Sequence, residues 1–199
     1  MNSQRIYLWR GVQVLIAPRT GFTAANQFRE FVPTTDYSAS RKSILISRDP
    51  LERWVSGVYH YSRNAHHTLI RKLIPRYMDY MYMHYPTTEE FATFFDRVTC
   101  VVENLEPSDY HYTSIHAYTQ AVAREIDYHR IIPTHGQRVY FGENYREANI
   151  SSVYTGKTKQ EWIRRAEPLR ARIQALWPQD QLYWDRSQHE WSTLPTVRP

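Results

Sequence analysis

Three stretches decide the fold of this chain: residues 12–17 (VQVLIA), 18–21 (PRTG) and 43–50 (SILISRDP). The first is a short apolar run rich in β-branched residues, which predicts a buried strand. The Pro and Gly of the second stretch break that strand, and Thr23 then suits the N-cap of a helix. The order strand, tight turn, helix is typical of one repeat of a parallel sheet with its crossover.

The third stretch repeats this order. Residues 43–47 predict a second buried strand, Asp49 suits a helix N-cap, and Pro50 suits the first helical position, where its missing N–H costs nothing. Two such units predict an α/β fold, a parallel sheet flanked by helices, with ligands bound beyond the carboxyl ends of the strands. With 199 residues, 42% of them hydrophobic, the chain 1–199 is expected to form a single domain.

Further elements are predicted from apolar spacing downstream of these units. An apolar strand pattern also follows residue 5, and the Tyr- and Met-rich stretch 60–86 gives no definite prediction. The helices are expected at residues 87–98, 114–124 and 159–177, with Pro168 kinking or splitting the last, and a third strand is expected at 138–142 (RVYFG).

The charge balance leaves two kinds of partner open. The net charge is +5, from 25 Lys and Arg against 20 Asp and Glu, which suits a phosphorylated or polyanionic partner or merely keeps a small protein soluble. The basic residues form no single run, which argues against a disordered nucleic-acid-binding tail. The 16 Tyr and 6 Trp could line a sugar or nucleobase site, although packing in the core is the commoner use.

Cysteine usage and hydropathy point to a reducing compartment. Cys100 is the only cysteine, so neither an intrachain disulfide nor a thiolate metal site can form. The longest apolar run, residues 14–17, is far shorter than the roughly 20 residues of a membrane span. Residues 1–5 resemble no secretory signal, and a cytoplasmic location is therefore expected.

The first turn has the chemistry of an anion site. Arg19 supplies a cation, Thr20 and Thr23 supply hydroxyls, and Gly21 allows close backbone approach at a helix start, which favours phosphate or sulfate. The alternative is a turn that only caps a helix. A nucleoside-triphosphatase loop needs a second Gly and a following Lys that this turn lacks, which disfavours a nucleotide kinase-like phosphotransferase.

The second turn adds a further set of anion ligands. Arg48 ends the strand and Ser56 lies about two turns into the next helix, so both could hold one anion. Arg53 lies four residues after Asp49 and is expected to pair with it. The alternatives are an ordinary ion pair for Arg48 and a solvent-facing side chain for Ser56.

Together the two turns resemble the signature of the sulfotransferases that use 3′-phosphoadenosine 5′-phosphosulfate, especially the branch that acts on carbohydrates. Residues 18–23 are similar to that family's loop for the 5′-phosphosulfate, and residues 48–56 to its 3′-phosphate motif. The resemblance covers nearly the whole chain in the expected order. Later segments similar to that branch are residues 116–120, 139–144, 149–151 and 177–183.

The resemblance implies a sulfotransferase-type fold, a P-loop-like parallel sheet flanked by helices. It also implies a metal-free transfer of a sulfuryl group to the hydroxyl of a saccharide or glycolipid. It makes Arg19 and His116 catalytic, the first as electrostatic stabiliser and the second as general base. The residues implied to bind the donor are Arg19, Thr20, Gly21, Phe22, Thr23, Ala24, Arg48, Ser56 and Lys157. Competitors for the base are His111, Asp36 and Glu30.

Two departures from the family pattern matter. Arg19 stands where the family usually has Lys, and a planar guanidinium does not replace a mobile ammonium in every role. The segment between the two turns is also short, about residues 30–42. Lys157 closes over the nucleotide if the resemblance holds and otherwise lies in a solvated basic loop before a helix.

Two rival functions remain open from the sequence. The first is a non-catalytic module on the same fold that binds anions or nucleic acid, which the Arg19 departure and the basic charge suggest. The second is the nucleotide kinase-like phosphotransferase. Under the favoured interpretation the partners are the phosphosulfate donor and a hydroxyl-bearing acceptor, with no nucleic acid.

Overall fold

Five strands and eight α-helices form along the part of the chain that the computed structural model describes, residues 6–18, 20, 22–63, 87–104, 114–145 and 156–193. The strands are β1 (Ile6–Trp9), β2 (Val12–Ile16), β3 (Val32–Thr34), β4 (Ser43–Ser47) and β5 (Tyr128–Pro133). The helices are α1 (Phe22–Gln27), α2 (Pro50–Arg63), α3 (Thr88–Asn104), α4 (Ile115–Gln120), α5 (Gln137–Phe141), α6 (Gly156–Ala166), α7 (Arg170–Leu176) and α8 (Pro178–Ser192). Short 3-10 turns cover Thr134–Gly136 and Glu167–Leu169.

The strands form one mixed sheet in the order β3-β1-β2-β4-β5. Strand β2 pairs in parallel with β4, and β4 with β5, whereas β1 is antiparallel to both β2 and β3. The α/β class is confirmed, but an all-parallel sheet is wrong because the chain begins with a hairpin. Arg10 and Gly11 at its tip have φ of 49° and 80°, as a two-residue turn with positive φ at both positions requires.

The chain falls into two compact units. The first comprises residues 1–49, 113–150 and 177–199 and holds the sheet with α1, α4, α5 and α8; the second comprises residues 50–112 and 151–176 and holds α2, α3, α6 and α7. That the whole chain is one domain stays a prediction.

An aliphatic and aromatic cluster covers one face of the sheet in the first unit. The alternating strand residues Val14, Ile16, Ile44 and Ile46 meet aromatic rings from α5 and from the segments that follow α1 and α5. These rings lie in close edge-to-face contact, with centroids 5.0 Å apart for Phe31 and Phe141 and 5.2 Å apart for Phe28 and Tyr145. Such contacts bury large apolar areas, so this cluster anchors the segments on either side of the candidate turns.

Aromatic rings also pack together in the described part of the second unit. The ring of Trp54 in α2 lies 5.5 Å from that of Phe95, and Phe91 lies 5.5 Å from Trp162 in α6. The helix predicted at 87–98 is confirmed and extends to Asn104. The break at Pro168 is confirmed too, since α6 and α7 are separated there by a 3-10 turn.

The third strand was predicted in the wrong place. Residues 138–142 belong largely to helix α5, and the strand is β5, ten residues earlier at its start. Val, Tyr and Phe favour strands, but Gln137 and Phe141, four residues apart, are both buried while Val139 is 63% exposed, which is a helical pattern. Residues 139–144, which resemble a segment of the carbohydrate branch, thus lie in this helix and the turn that follows it.

Two other boundaries differ from prediction. The helix expected at 114–124 ends at Gln120, and its N-cap is Ser114, whose hydroxyl accepts a hydrogen bond from the Ala117 N–H. Helix α8 lies after the last predicted helix and was not predicted as a separate element. No helix in the described ranges is both long and apolar enough to cross a membrane.

Candidate functional site

Strands β2, β4 and β5 end together at one edge of the sheet, here called the carboxyl edge. Ile16 pairs with Ile46, and Ser47 pairs with Pro133. Because neighbouring strands lie about 4.8 Å apart, the segments that follow them leave the sheet side by side. The turn with Thr20, the segment with Arg48 and the 3-10 turn after β5 therefore begin next to one another.

Thr20 closes the turn after β2. It is fully buried; its Oγ1 donates to the Ala17 carbonyl over 2.6 Å, and its N–H donates to the same oxygen over 3.2 Å. Its own carbonyl accepts a 2.7 Å hydrogen bond from Gln137 Nε2. Both donors of Thr20 are thus engaged within the turn, and a bond from its hydroxyl to a bound anion, which stays a prediction, requires that hydroxyl to rotate.

The end of β4 brings Arg48 to the same edge. Arg48 directly follows the strand and is 9% exposed. The Ser47 carbonyl accepts a 2.7 Å bond from Thr134 Oγ1, which ties the ends of β4 and β5 together. The Ser47 hydroxyl is buried and has no hydrogen-bond partner among the described residues, an arrangement that costs about 1–3 kcal/mol unless a ligand or water satisfies it.

The remaining predicted donor-binding residues fall into three groups. Arg19 and Gly21 lie outside the described residues. Helix α1 begins at Phe22, so Thr23 lies inside the helix with Ala24 rather than at its N-cap, which corrects that prediction. A boundary shift of two residues is typical of helix ends.

Ser56 and Lys157 belong to the second unit, whereas Thr20 and Arg48 belong to the first. Ser56 is half-buried in α2, which begins at Pro50 as predicted. Lys157 lies in the first turn of α6, so the loop expected there before residue 159 is helical instead.

The position of α8 shows where His116 lies. Arg186 Nη2 donates to the Tyr128 carbonyl at the start of β5, and farther along α8 Glu190 accepts a bond from the Ile131 N–H. Helix α8 therefore runs beside β5 in the same direction. On the same helix, Tyr183 lies near the amino end of β5, where its ring is 5.6 Å from that of Tyr128.

His116 is bound to this early part of α8. Its Nδ1 lies 3.0 Å from the hydroxyl of Tyr183, and its backbone N–H donates to Asp180 Oδ1 over 3.0 Å. This places His116 near Tyr128, the first residue of β5. The contacts of His116 are with α8, whereas Thr20 and Arg48 follow strands that end at the carboxyl edge. Its role as base stays a prediction.

The cluster around His116 keeps its phenols protonated. Burial raises the pKa of the Tyr183 hydroxyl, and the Asp180 carboxylate raises it further. Burial also raises the pKa of Tyr128, whose ring lies 5.6 Å from that of Tyr183. Tyr183 therefore retains a proton at neutral pH, and His116 Nδ1 is engaged with that hydroxyl in either tautomer.

We expect His116→Ala to have only a structural effect. Loss of one half-buried hydrogen bond should lower the free energy of unfolding by about 1 kcal/mol. Donor affinity and the transfer rate per folded molecule should stay unchanged. Thermal unfolding and single-turnover kinetics measure these quantities. A fall in the transfer rate of about 10²–10⁴ in a folded variant would instead identify His116 as the base.

The three alternative candidates for the base differ in their position in the fold. His111 lies outside the described residues. Glu30 accepts bonds from Trp9 Nε1 and Arg10 Nη2 at the hairpin tip, on the amino side of β2. Asp36 is exposed and follows β3. Thr34, the last residue of β3, and Leu15, near the end of β2, both pair with Ile6 of β1. Strand β3 therefore ends at the carboxyl edge, as β2 does.

Sequence reasoning passed over three residues at or near the carboxyl edge. His135 follows β5, with its ring edge-on to Trp184 and Trp191 at centroid distances of 6.0 and 6.2 Å. Gln137 and Tyr145 form a buried hydrogen-bonded pair that reaches Thr20. The wrong position of the third strand is the reason. With a strand predicted at 138–142, the sequence did not indicate that these three residues follow a strand that ends at the carboxyl edge.

In the described part of the chain, no group of three or more His, Cys, Asp or Glu side chains is arranged to hold a metal ion. Comparisons of the chain with protein-family models, with curated proteins and with solved structures give no match.

Proposed function

We propose that this protein is a sulfotransferase that moves a sulfuryl group from 3′-phosphoadenosine 5′-phosphosulfate to a hydroxyl of a saccharide or glycolipid. The observation that carries the proposal is the parallel pairing of β2 with β4. It brings the turn at residues 17–20 and Arg48 to one edge of the sheet, on neighbouring strands. An α/β sheet binds its ligands at this edge.

The local chemistry supports an anionic ligand there. Arg48 is a cation held in a largely buried position, where a charge-assisted bond to phosphate is stronger than in water. The buried Ser47 hydroxyl, which has no partner in the described ranges, provides a polar group that a ligand could satisfy. Arg19 lies in the sequence between Ala17 and Thr20 and adds a second cation.

In the proposed reaction an acceptor oxygen attacks sulfur in line with the bridging oxygen of the donor. The new S–O bond forms as the bond to the phosphate oxygen breaks, adenosine 3′,5′-bisphosphate leaves, and the acceptor proton passes to a base. Arg19 stabilises the charge that develops on the leaving phosphate, and Arg48 holds the 3′-phosphate. Asp36 is the alternative base that lies on the carboxyl edge.

A second candidate function is anion binding without catalysis on the same fold. It is favoured by one observation, the location of His116 at the amino end of β5. The two functions differ in turnover. Both require an anion at the carboxyl edge.

A transfer assay with labelled donor and a panel of saccharide and glycolipid acceptors tests the proposal. We expect label to move to at least one acceptor without added metal, and Arg48→Ala to abolish most of the transfer at low donor concentration. Donor binding without transfer to any acceptor would favour the non-catalytic module. Transfer that is equal in wild type and Arg48→Ala would contradict the assigned donor site.

A further inference from the structure

A buried hydrogen-bond network joins the turn after β2 to Gln137 and Tyr145. The Tyr145 hydroxyl lies 2.5 Å from Gln137 Oε1, and Gln137 Nε2 lies 2.7 Å from the Thr20 carbonyl oxygen. Thr20, Gln137 and Tyr145 are each at most 1% exposed. All three residues belong to the first unit, so the network links parts of one compact unit.

The donors and acceptors allow one orientation of the Gln137 amide. The Thr20 carbonyl can only accept, so the NH₂ group of Gln137 must face it. The amide oxygen then faces Tyr145, whose hydroxyl donates to it. Loss of that hydroxyl would leave the buried amide oxygen without a partner and remove the group that selects this orientation.

The network engages the polar groups of the candidate anion turn. The other polar groups of Thr20, its N–H and hydroxyl, are bonded to Ala17. Gln137 therefore provides the bond that ties this turn to helix α5, on the far side of β4. Because a peptide group is planar, fixing the Thr20 carbonyl fixes the plane of its peptide group, at the point where the turn leads into α1.

We propose that Gln137 and Tyr145 are positioning residues that hold the turn after β2 in the shape that receives the donor's phosphosulfate. They act through Thr20 and touch no ligand themselves. The proposal rests on the proposed function for the identity of the anion. The hold on the turn itself is a property of the protein without ligand.

Tyr145→Phe removes the hydroxyl and keeps the ring that packs against Phe28. We expect it to weaken adenosine 3′,5′-bisphosphate binding roughly fivefold or more, as loss of one buried hydrogen bond implies. Tyr140→Phe is the matched control, because Tyr140 lies in the same helix as Gln137. The network consists of Thr20, Gln137 and Tyr145 and does not include the Tyr140 hydroxyl. The control should bind as the wild type does.

Gln137→Glu gives a readout that a merely structural role would not move. A protonated Glu donates to the Thr20 carbonyl as the amide does, whereas an ionised Glu places negative charge against that oxygen. The ratio of the bisphosphate dissociation constants, Gln137→Glu over wild type, should therefore rise with pH while both proteins remain folded. Burial raises the pKa of such a carboxyl, which brings the change toward neutral pH.

Hydrogen exchange of the ligand-free proteins separates this proposal from the proposed function. We expect the peptide covering residues 17–28 to exchange faster in Tyr145→Phe than in wild type and Tyr140→Phe. If wild type binds no bisphosphate, the proposed function fails, and the exchange rates alone then decide whether the turn is held. Equal exchange rates, a pH-independent affinity ratio, or unchanged affinity in Tyr145→Phe would each overturn the positioning role.

Discussion

Asp180→Ala is expected to lower the free energy of unfolding by about 3 kcal/mol. The Asp180 carboxylate is fully buried and accepts bonds from the first two N–H groups of α4, over 2.7 Å from Ile115 and 3.0 Å from His116. Its removal leaves two donors of a helix start without a partner and detaches α4 from α8. For a chain of this length the melting temperature should fall by about 6–12 °C.

Asp185→Ala is the matched control for this variant. Asp185 lies on the same helix but is exposed and accepts a bond from Gln181 at the surface. Its replacement should change the free energy of unfolding by no more than about 0.5 kcal/mol. Equal melting temperatures for the two variants would show that Asp180 does not carry the contact between α4 and α8.

Arg48→Ala is expected to weaken adenosine 3′,5′-bisphosphate binding by about 10–100-fold. A charge-assisted bond contributes about 1.5–3 kcal/mol against about 1 for a neutral one, so Ser56→Ala should cost less, about fivefold. Isothermal titration of each variant measures both. The loss of affinity should be larger for Arg48→Ala than for Ser56→Ala, because Arg48 lies at the carboxyl edge.

Arg41→Ala is the control for loss of charge alone, since Arg41 is exposed on the segment that precedes β4. It should reduce affinity only slightly and more at low salt than at high salt. Arg48→Lys keeps the charge without the planar fork and should fall between wild type and Arg48→Ala. Unchanged affinity in a folded Arg48→Ala would remove this residue from the donor site.

The two strand-turn-helix units were predictable because their local signals agree with the fold. Residues 43–47 are apolar on both faces of the sheet and are followed by Pro at a helix start, and the observed β4 has the predicted bounds. The hairpin that makes the sheet mixed was missed, although Gly11 at its tip was a usable signal. Strand β5 was missed because its polar residues His129 and Arg130 interrupt the apolar pattern.

The candidate site was predictable only as far as it depends on strand order. Parallel pairing places Thr20 and Arg48 at one edge, as the sequence pattern indicates. The position of His116 was not predictable, since it follows from Asp180 and Tyr183 on a helix more than 60 residues later in the chain. Gln137 reaches Thr20 across 117 residues, and no local pattern reports such a contact.

The most direct test of the central claim is the titration of the wild-type protein with adenosine 3′,5′-bisphosphate in the absence of magnesium, read as a shift in melting temperature. A ligand that binds the folded state at 100 times its dissociation constant adds about 2.7 kcal/mol, so a rise of several degrees is expected. ATP with magnesium and a single-stranded oligonucleotide, titrated in parallel, should give little or none. Stabilisation by ATP with magnesium or by the oligonucleotide alone, with no response to the bisphosphate, would contradict the account.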